Sequence, residues 1–296
     1  MAEGRIIKAL SGFYYVKSNC DIYACKGRGV FRNQKITPLV GDFVTFDITE
    51  NKEGYIQEIK QRENELIRPP IANVTQAIIV NAVSQPTFSS LLLDRFLVVV
   101  ESKQIKPMIV VTKKDLATEQ EIKDMYVFKE DYRKLGYRFE FLSLKEKGDL
   151  AKIKQFFKNE VTVLMGQSGV GKSTLLNAIN PAFDIQTAEI SHSLGRGKHT
   201  TRHVELLEID GGLVADTPGF SAIELNELEA EELSDCFVEM KGKRNECKFR
   251  RCLHDKEPKC AVKKAVNDGE INKYRYNHYL QFLQEILERK PRYTND

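Results

Sequence analysis

Gly166-Gln167-Ser168-Gly169-Val170-Gly171-Lys172-Ser173, with Thr174 behind it, follows the apolar run VTVLM (161–165) and opens the helical pattern KSTLLNAIN (172–180). The octet fits the spacing G-x-x-x-x-G-K-[ST], and the strand before it and helix after it are the context that spacing needs. Glycines let successive backbone N–H groups turn inward around phosphate oxygens, and the helix N-terminus adds partial positive charge. Lys172 reaches toward the outer phosphates of a nucleotide, and the Ser173 hydroxyl is a magnesium ligand. The competing reading is a glycine-rich turn between strand and helix that matches by chance.

Outward from that loop, apolar runs of parallel-strand type alternate with helical patterns. TQAIIVNAV (75–83) precedes LLLDRFLVVVESK, and KPMIVVT (106–112) precedes EQEIKDMYVFKEDYRKL, whose stop is Gly136. RFEFLS (138–143) and VTVLM follow, so the middle of the chain reads as a mostly parallel α/β sheet. HVELLEID and LVADT, joined through Gly211–Gly212, read as an antiparallel hairpin at its edge. Asp216-Thr-Pro-Gly219 closes LVADT 43 residues beyond Ser173. There an aspartate can hold magnesium through water and the Gly219 N–H can meet a terminal phosphate. Standing alone, this tetrapeptide is also a good turn.

Thr112-Lys113-Lys114-Asp115 ends KPMIVVT and resembles the [NT]-K-x-D motif that reads guanine. The Asp115 carboxylate can accept two hydrogen bonds from a guanine edge, and adenine leaves it unpaired, a mismatch worth about 10⁴–10⁵ in selectivity. Asp115 can equally be read as the cap of the helix that follows. Ser143 stands where the second base-side loop is expected. Guanine motif and Ser143 precede the phosphate loop, which is a circular permutation of a Ras-like domain. Such a rearrangement is tolerated where the original termini lie close together at the surface.

In Ras-like enzymes a glutamine after D-x-x-G orients the attacking water. Phe220 stands there and cannot. The segment SLGRGKHTTRHVEL occupies the place of the first switch, with Thr200 or Thr201 as magnesium ligand and His199 as the candidate for positioning water. Arg196 and Arg202 are candidate charge stabilisers, and a solvated loop histidine is the plain alternative for His199.

Cys247-x₄-Cys252-x-His254-x₅-Cys260 offers three thiolates and an imidazole within 14 residues. That donor set suits a closed structural zinc site. Cys20, Cys25 and Cys236 are scattered and read as ordinary packing or surface residues. The net charge of +3 hides an asymmetry: residues 224–239 hold seven acids and no base, whereas 241–264 hold ten bases against three acids. A basic segment of this kind points to phosphate-backbone binding. Tyr274 and Tyr276, within KYRYNHYLQFLQEILERK, read as packing residues. Residues 1–66 read as short strands of a small barrel, with Phe13, Tyr14, Tyr15, Lys17, Arg28 and Arg32 as candidate RNA contacts. No apolar run approaches the 18 or more residues of a membrane span, and the N-terminus lacks a secretory pattern, so a cytoplasmic chain without membrane contact is expected.

Taken together, the small β-barrel, LLLDRFLVV, TKKD ahead of GQSGVGKST, GRGKHTT, DTPGF and C-x₄-C-x-H-x₅-C resemble the ribosome small subunit-dependent GTPase A family over essentially the whole chain. The resemblance implies an α/β multidomain protein in three parts. These are an N-terminal OB-fold barrel (1–68), a circularly permuted Ras-like P-loop GTPase domain (69–225) and a C-terminal α-helical zinc domain (226–296). It further implies a factor in late maturation of the bacterial 30S subunit, stimulated by that subunit, contacting 16S rRNA, binding GTP or GDP with magnesium, and working as a monomer. Family nucleotide contacts fall on Thr112, Lys113, Lys114, Asp115 and on Gly166 through Thr174, and family zinc ligands on Cys247, Cys252, His254 and Cys260. Three other readings stay open: an RNA-binding checkpoint in which occupancy rather than turnover matters, a permuted GTPase of the 50S subunit, and an ATP-using P-loop protein.

Overall fold

The computed structural model describes residues 1–29, 31, 36–49, 52–143, 147–183, 204–216 and 225–289. Arg32, Arg196, His199, Thr200, Thr201, Arg202, Gly219 and Phe220 lie outside the described residues.

Five N-terminal strands are β1 (Ala2–Leu10), β2 (Phe13–Ser18), β3 (Asp21–Gly27), β4 (Phe43–Ile48) and β5 (Glu53–Ile59). They run in the order β1-β2-β3-β5-β4, and β4 returns to pair with β1. Closure of this kind removes the exposed edge that a small sheet otherwise presents. Alternation supplies the interior: Ile6, Val16, Cys25, Val44, Phe46 and Ile56 are fully buried, as period-two side-chain direction requires. Gly41 adopts a positive φ of 95°, and a Cβ there would lie 2.0 Å from the Ala72 carbonyl oxygen, so the barrel closes onto its linker only through a glycine. Buried Asp42 beside it takes both oxygens to Arg62, each at 2.8 Å.

A short hairpin, β6 (Glu65–Leu66) with β7 (Ile71–Ala72), leads into β8 (Gln76–Ala82), α1 (Ser90–Ser102), β9 (Lys106–Thr112), α2 (Glu119–Lys134), β10 (Arg138–Phe141) and α3 (Lys147–Lys154). Then come β11 (Val161–Met165), α4 (Lys172–Ile179), β12 (Glu205–Ile209) and β13 (Gly212–Asp216). The strand order is β10-β9-β8-β11-β13-β12, parallel throughout except for the β12–β13 hairpin. Every residue of β8 and β11 is buried, which explains their largely apolar character, with Gln76, Asn81 and Thr162 as the buried polar exceptions. β12 also pairs with β1 at Lys8↔Glu205, so barrel and α/β sheet are continuous. Two ion pairs, Lys8–Glu205 at 2.7 Å and Lys17–Glu208, flank that junction. Lys17, expected as an RNA contact, therefore faces Glu208.

The C-terminal part holds α5 (Val238–Lys241), α6 (Ala261–Asn267) and α7 (Lys273–Leu287) around Leu233, Phe237, Met240, Val262, Tyr279 and Phe282. Leu225 and Leu228 enter the same core, so the chain emerging beyond β13 is anchored there. Arg289 fastens it further by donating to the Asn226 carbonyl at 2.5 Å. Helix α1 is the hub. Phe96, Leu97 and Val100 face the sheet core, whereas Val98 belongs to the C-terminal core.

Between α1 and α7 lies a buried ionic network. Arg275, 1% exposed, pairs with Asp94 of α1 and with Glu239 of α5 at 2.5 Å. Tyr132 of α2 donates to Asp94 at 2.7 Å, and His278 Nδ1 stands 2.6 Å from its other oxygen. Burial lowers the Arg275 pKa, but the two carboxylates outweigh that and hold it well above the usual range. Removing one member of a buried pair strands the other charge. Arg275→Ala is accordingly expected to lower stability by about 3–5 kcal/mol in denaturant unfolding, by leaving Asp94 and Glu239 uncompensated.

Candidate nucleotide site and cysteine cluster

In an open α/β sheet, ligands collect outside the carboxyl ends of the strands where the strand order reverses. Here that place is shared by the loops leaving β8, β9 and β11. The β11 loop begins at Gly166, whose φ is 142° and whose added Cβ would lie 2.1 Å from the Val80 carbonyl oxygen. Any side chain there collides with β8 backbone. Gly169 and Gly171 also have positive φ, at 82° and 98°, and Gly171 starts α4. Lys172 folds back over the loop and donates to the carbonyls of Gly166 (2.6 Å) and Gln167 (2.8 Å). Burial pushes its pKa down to about 8.

The loop leaving β9 is braced against this one. Thr112 is fully buried, and its hydroxyl lies 2.6 Å from the Val170 carbonyl oxygen and 3.1 Å from that of Asn81. One hydroxyl thus links the base loop, the phosphate loop and β8. Lys113 takes a left-handed φ of 59° and its ammonium donates to the Gln85 carbonyl. Lys114 and Asp115 follow in a single exposed turn. Asp115 does not cap α2, contrary to the plain reading of the sequence. Thr118 does, accepting from the Glu121 N–H while the Glu121 carboxylate accepts from the Thr118 N–H at 2.7 Å. Ser143, buried just beyond β10, donates its backbone N–H to Asp149 at 2.8 Å. Asp216 ends β13 opposite Glu205.

Sequence reading missed the β8 loop. Gln85 has a φ of 56° and anchors Lys113, while Pro86 lies 3.9 Å from the Cβ position of Gly169, against the phosphate loop. The available signal was a polar, proline-containing break directly after a parallel strand. Asp94 and Arg275 were missed for another reason: each looks like an isolated charge on an apolar or aromatic helix until its partner is known.

The cysteine cluster converges as its spacing suggests. The ligand atoms of Cys247, Cys252, His254 and Cys260 all lie within 4.8 Å of one another. Cys247 Sγ is 3.9 Å from Cys260 Sγ, and His254 Nδ1 is 3.6 Å and 3.3 Å from those two sulfurs. A tetrahedral zinc with Zn–S bonds of about 2.3 Å has sulfur–sulfur edges of about 3.8 Å, so these separations fit. Backbone N–H groups of Ala261 and Lys263 each donate to a cluster sulfur at 3.4 Å. Burial first, then the neighbouring sulfurs, raise the Cys252 thiol to about 12, and a bound cation would offset both by favouring the thiolate. Glu257 pins the loop by accepting from the backbone of Leu253 and Asp255. Tyr276 and Tyr279 donate to the carbonyls of His254 and Leu253, so these aromatic residues support the cluster. Cys20 is exposed, and Cys25 and Cys236 are buried, apart from it.

A P-loop and a lysine–aspartate base loop at the same end of a parallel sheet, in permuted order and behind a closed barrel, define a circularly permuted GTPase. The RsgA GTPase family model matches residues 59–226, and that for the RsgA N-terminal domain matches residues 3–56. The relatives include "Small ribosomal subunit biogenesis GTPase RsgA 2" of Oceanobacillus iheyensis, 60% identical over 99% of this chain and 100% of its own. The corresponding Bacillus subtilis protein is 56% identical with the same coverage. Among solved structures, YloQ, described as a circularly permuted GTPase, superposes with a TM-score of 0.84 at 52% identity, covering 99% of this chain and 97% of its own. YjeQ from Thermotoga maritima superposes at 0.85 with 36% identity, covering 98% of this chain and 99% of its own. This chain belongs to the RsgA GTPase family.

Thr112→Val keeps the volume but leaves the Val170 carbonyl without its donor. An unsatisfied buried group costs about 1–3 kcal/mol. Urea unfolding should register that loss and a fluorescent GDP analogue should bind about tenfold or more weakly, whereas Thr112→Ser should stay near the parent on both. Lys172 gives a pH prediction. Bound polyphosphate favours the ammonium, while the free protein loses that proton as pH rises through about 8. Affinity is therefore flat below that value and falls above it, toward about tenfold per pH unit. Calorimetry in buffers of different ionisation enthalpy should find negligible proton uptake at about pH 6.5 and uptake approaching one proton at about pH 9.

Proposed function

We propose that this chain hydrolyses GTP in the biogenesis of the small ribosomal subunit, the role stated in the name its full-length relatives carry. The observation that bears most weight is the Thr112 brace, which locks a guanine-reading loop to a phosphate loop despite their reversed order in the chain. In this reading Lys113, Lys114 and Asp115 hold the guanine from one side and Ser143 from the other. Gly166, Gln167, Ser168, Gly169, Val170 and Gly171 wrap the phosphates with backbone N–H groups, and Lys172, Ser173 and Thr174 complete the cradle. Asp115 accepts from the guanine edge, and the Lys113 stem covers the base plane.

Ser173, a threonine of the pair Thr200–Thr201 and, through water, Asp216 would hold magnesium, which supplies charge neutralisation on the phosphates. Gly219 meets the terminal phosphate and His199 positions the water in place of the glutamine that Phe220 replaces. Lys172 must release the carbonyls of Gly166 and Gln167 to meet phosphate, an exchange of weak acceptors for a charged one.

The cluster of Cys247, Cys252, His254 and Cys260 holds one structural zinc, and the basic segment around it contacts 16S rRNA of the 30S subunit in the cytoplasm. The deciding assay is hydrolysis of GTP and ATP, each alone, with 30S subunits and with 50S subunits. We expect GTP turnover to rise strongly with 30S alone and ATP turnover to stay at background. Acceleration by 50S alone would identify a large-subunit factor, and GTP-dependent 30S binding without acceleration a checkpoint. For zinc, the full chain should carry about one equivalent by elemental analysis, and Cys252→Ser close to none, with loss of the cooperative unfolding of residues 225–289.

A further inference from the structure

Among the aromatic side chains between 225 and 289, Phe249 is the one that stands exposed, at 43%. It sits in the four-residue stretch Lys248-Phe249-Arg250-Arg251, between the cluster members Cys247 and Cys252. Nothing in the packing of the C-terminal core uses this ring. The backbone on either side is held by the cluster, so the ring is presented on a short, pinned loop. A side chain ordered in advance loses little entropy when it meets a ligand.

The charges around it are unusual in one respect. Two bases nearer the acidic segment are neutralised: Lys243 pairs with Glu270 at 2.8 Å and Arg244 with Asp235. Lys248, Arg250 and Arg251 are exposed and form no ion pair among the described residues, and Lys256 and Lys259 are likewise unpaired there. Lys248 Nζ stands 5.7 Å from the Phe249 ring centroid. Arg250 and Arg251, with Glu231, Arg244 and Cys252, line a polar cavity of about 370 Å³ on the same loop.

We infer that the Cys247–Cys252 loop is a recognition tip for single-stranded RNA, with Phe249 stacking on one unpaired base and Lys248, Arg250 and Arg251 taking the flanking phosphates. This deepens the ribosomal reading above and rests on it. Proteins read unpaired RNA by stacking splayed bases on aromatic rings beside cationic side chains. A duplex hides its base faces within the stack and offers the ring nothing to cover. A protein partner fits less well, because central anchors of protein interfaces sit within an apolar surround, and here the ring's neighbours in the loop are cations.

The test uses the full-length protein and fluorescence anisotropy with two labelled probes, an eight-nucleotide single strand and a duplex of the same base composition. Phe249→Ala and Phe249→Leu are expected to weaken single-strand binding by about 10- to 100-fold and to leave duplex binding unchanged. Phe249→Tyr should bind like the parent, and zinc content should be the same in all. Arg250→Ala with Arg251→Ala should weaken both probes and reduce the salt slope for the single strand by about 1.4. Single-strand binding by Phe249→Leu equal to the parent's would overturn the inference. So would equal losses on both probes, or loss of 30S binding with oligonucleotide binding intact, which would place a protein against the ring. Stimulation of the parent by 30S subunits is measured in parallel. Its absence defeats the ribosomal reading, whereas normal stimulation with an inert Phe249 defeats this inference alone.

Discussion

One hydroxyl holds the two halves of the nucleotide site in register. Thr112 ends β9, is fully buried, and donates into the carbonyl of Val170 across 58 positions of sequence. The sheet order gives this contact its role. The base loop and the phosphate loop come from segments that fold as separate β–α units, and their strands are not neighbours, since β8 lies between β9 and β11. A hydrogen bond from side chain to backbone fixes the distance between loops without requiring a longer strand. It also gives Thr112 a structural reason: the residue there needs a donor pointed at the glycine-rich loop, and threonine supplies one.

The second consequence of the permuted order lies at the sheet's edges. β12 is paired with barrel strand β1. Past β13, Leu225 and Leu228 belong to the C-terminal core. The barrel therefore holds the strand that begins at Glu205, and the C-terminal core holds the chain from Leu225 onward. On the opposite side the C-terminal unit is fixed to α1 by the Arg275 network and by Arg95, which reaches Glu285 at 2.8 Å. A buried network of this kind contributes little net stability but is costly to leave incomplete. Its effect is to give α7 one position on the GTPase domain.

The net charge of +3 conveys almost nothing of the electrostatics. The acidic segment turns Leu225, Leu228, Leu233 and Phe237 inward, and Asp235 and Glu229 meet Arg244 and Arg289 at its surface. Five exposed bases without an ion pair among the described residues, Lys248, Arg250, Arg251, Lys256 and Lys259, lie between Cys247 and Cys260. A bulk count averages a neutralised region with an uncompensated one, and only the positions of the partners separate them.

Much of the candidate site was legible because its motifs are local. A phosphate loop depends on a few consecutive backbone conformations, so Gly166, Gly169, Gly171 and Lys172 declare themselves within one octet. The cysteine cluster is similarly compact, its four residues spanning 14 positions. Buried parallel strands betray themselves by nearly continuous apolar runs, and the order of motifs along the chain revealed the permutation. The Asp115 cap was the plain local alternative, and Thr118 with Glu121, three positions on, caps the helix instead. What only the tertiary structure decided were the long-range partners: Thr112 with Val170, Gln85 with Lys113, Asp94 with Arg275 and Glu239, and β1 with β12. In each, the residue type fits several environments equally well. The choice is made by which backbone carbonyl or opposite charge the completed fold brings within hydrogen-bonding distance, and sequence separation carries no record of that.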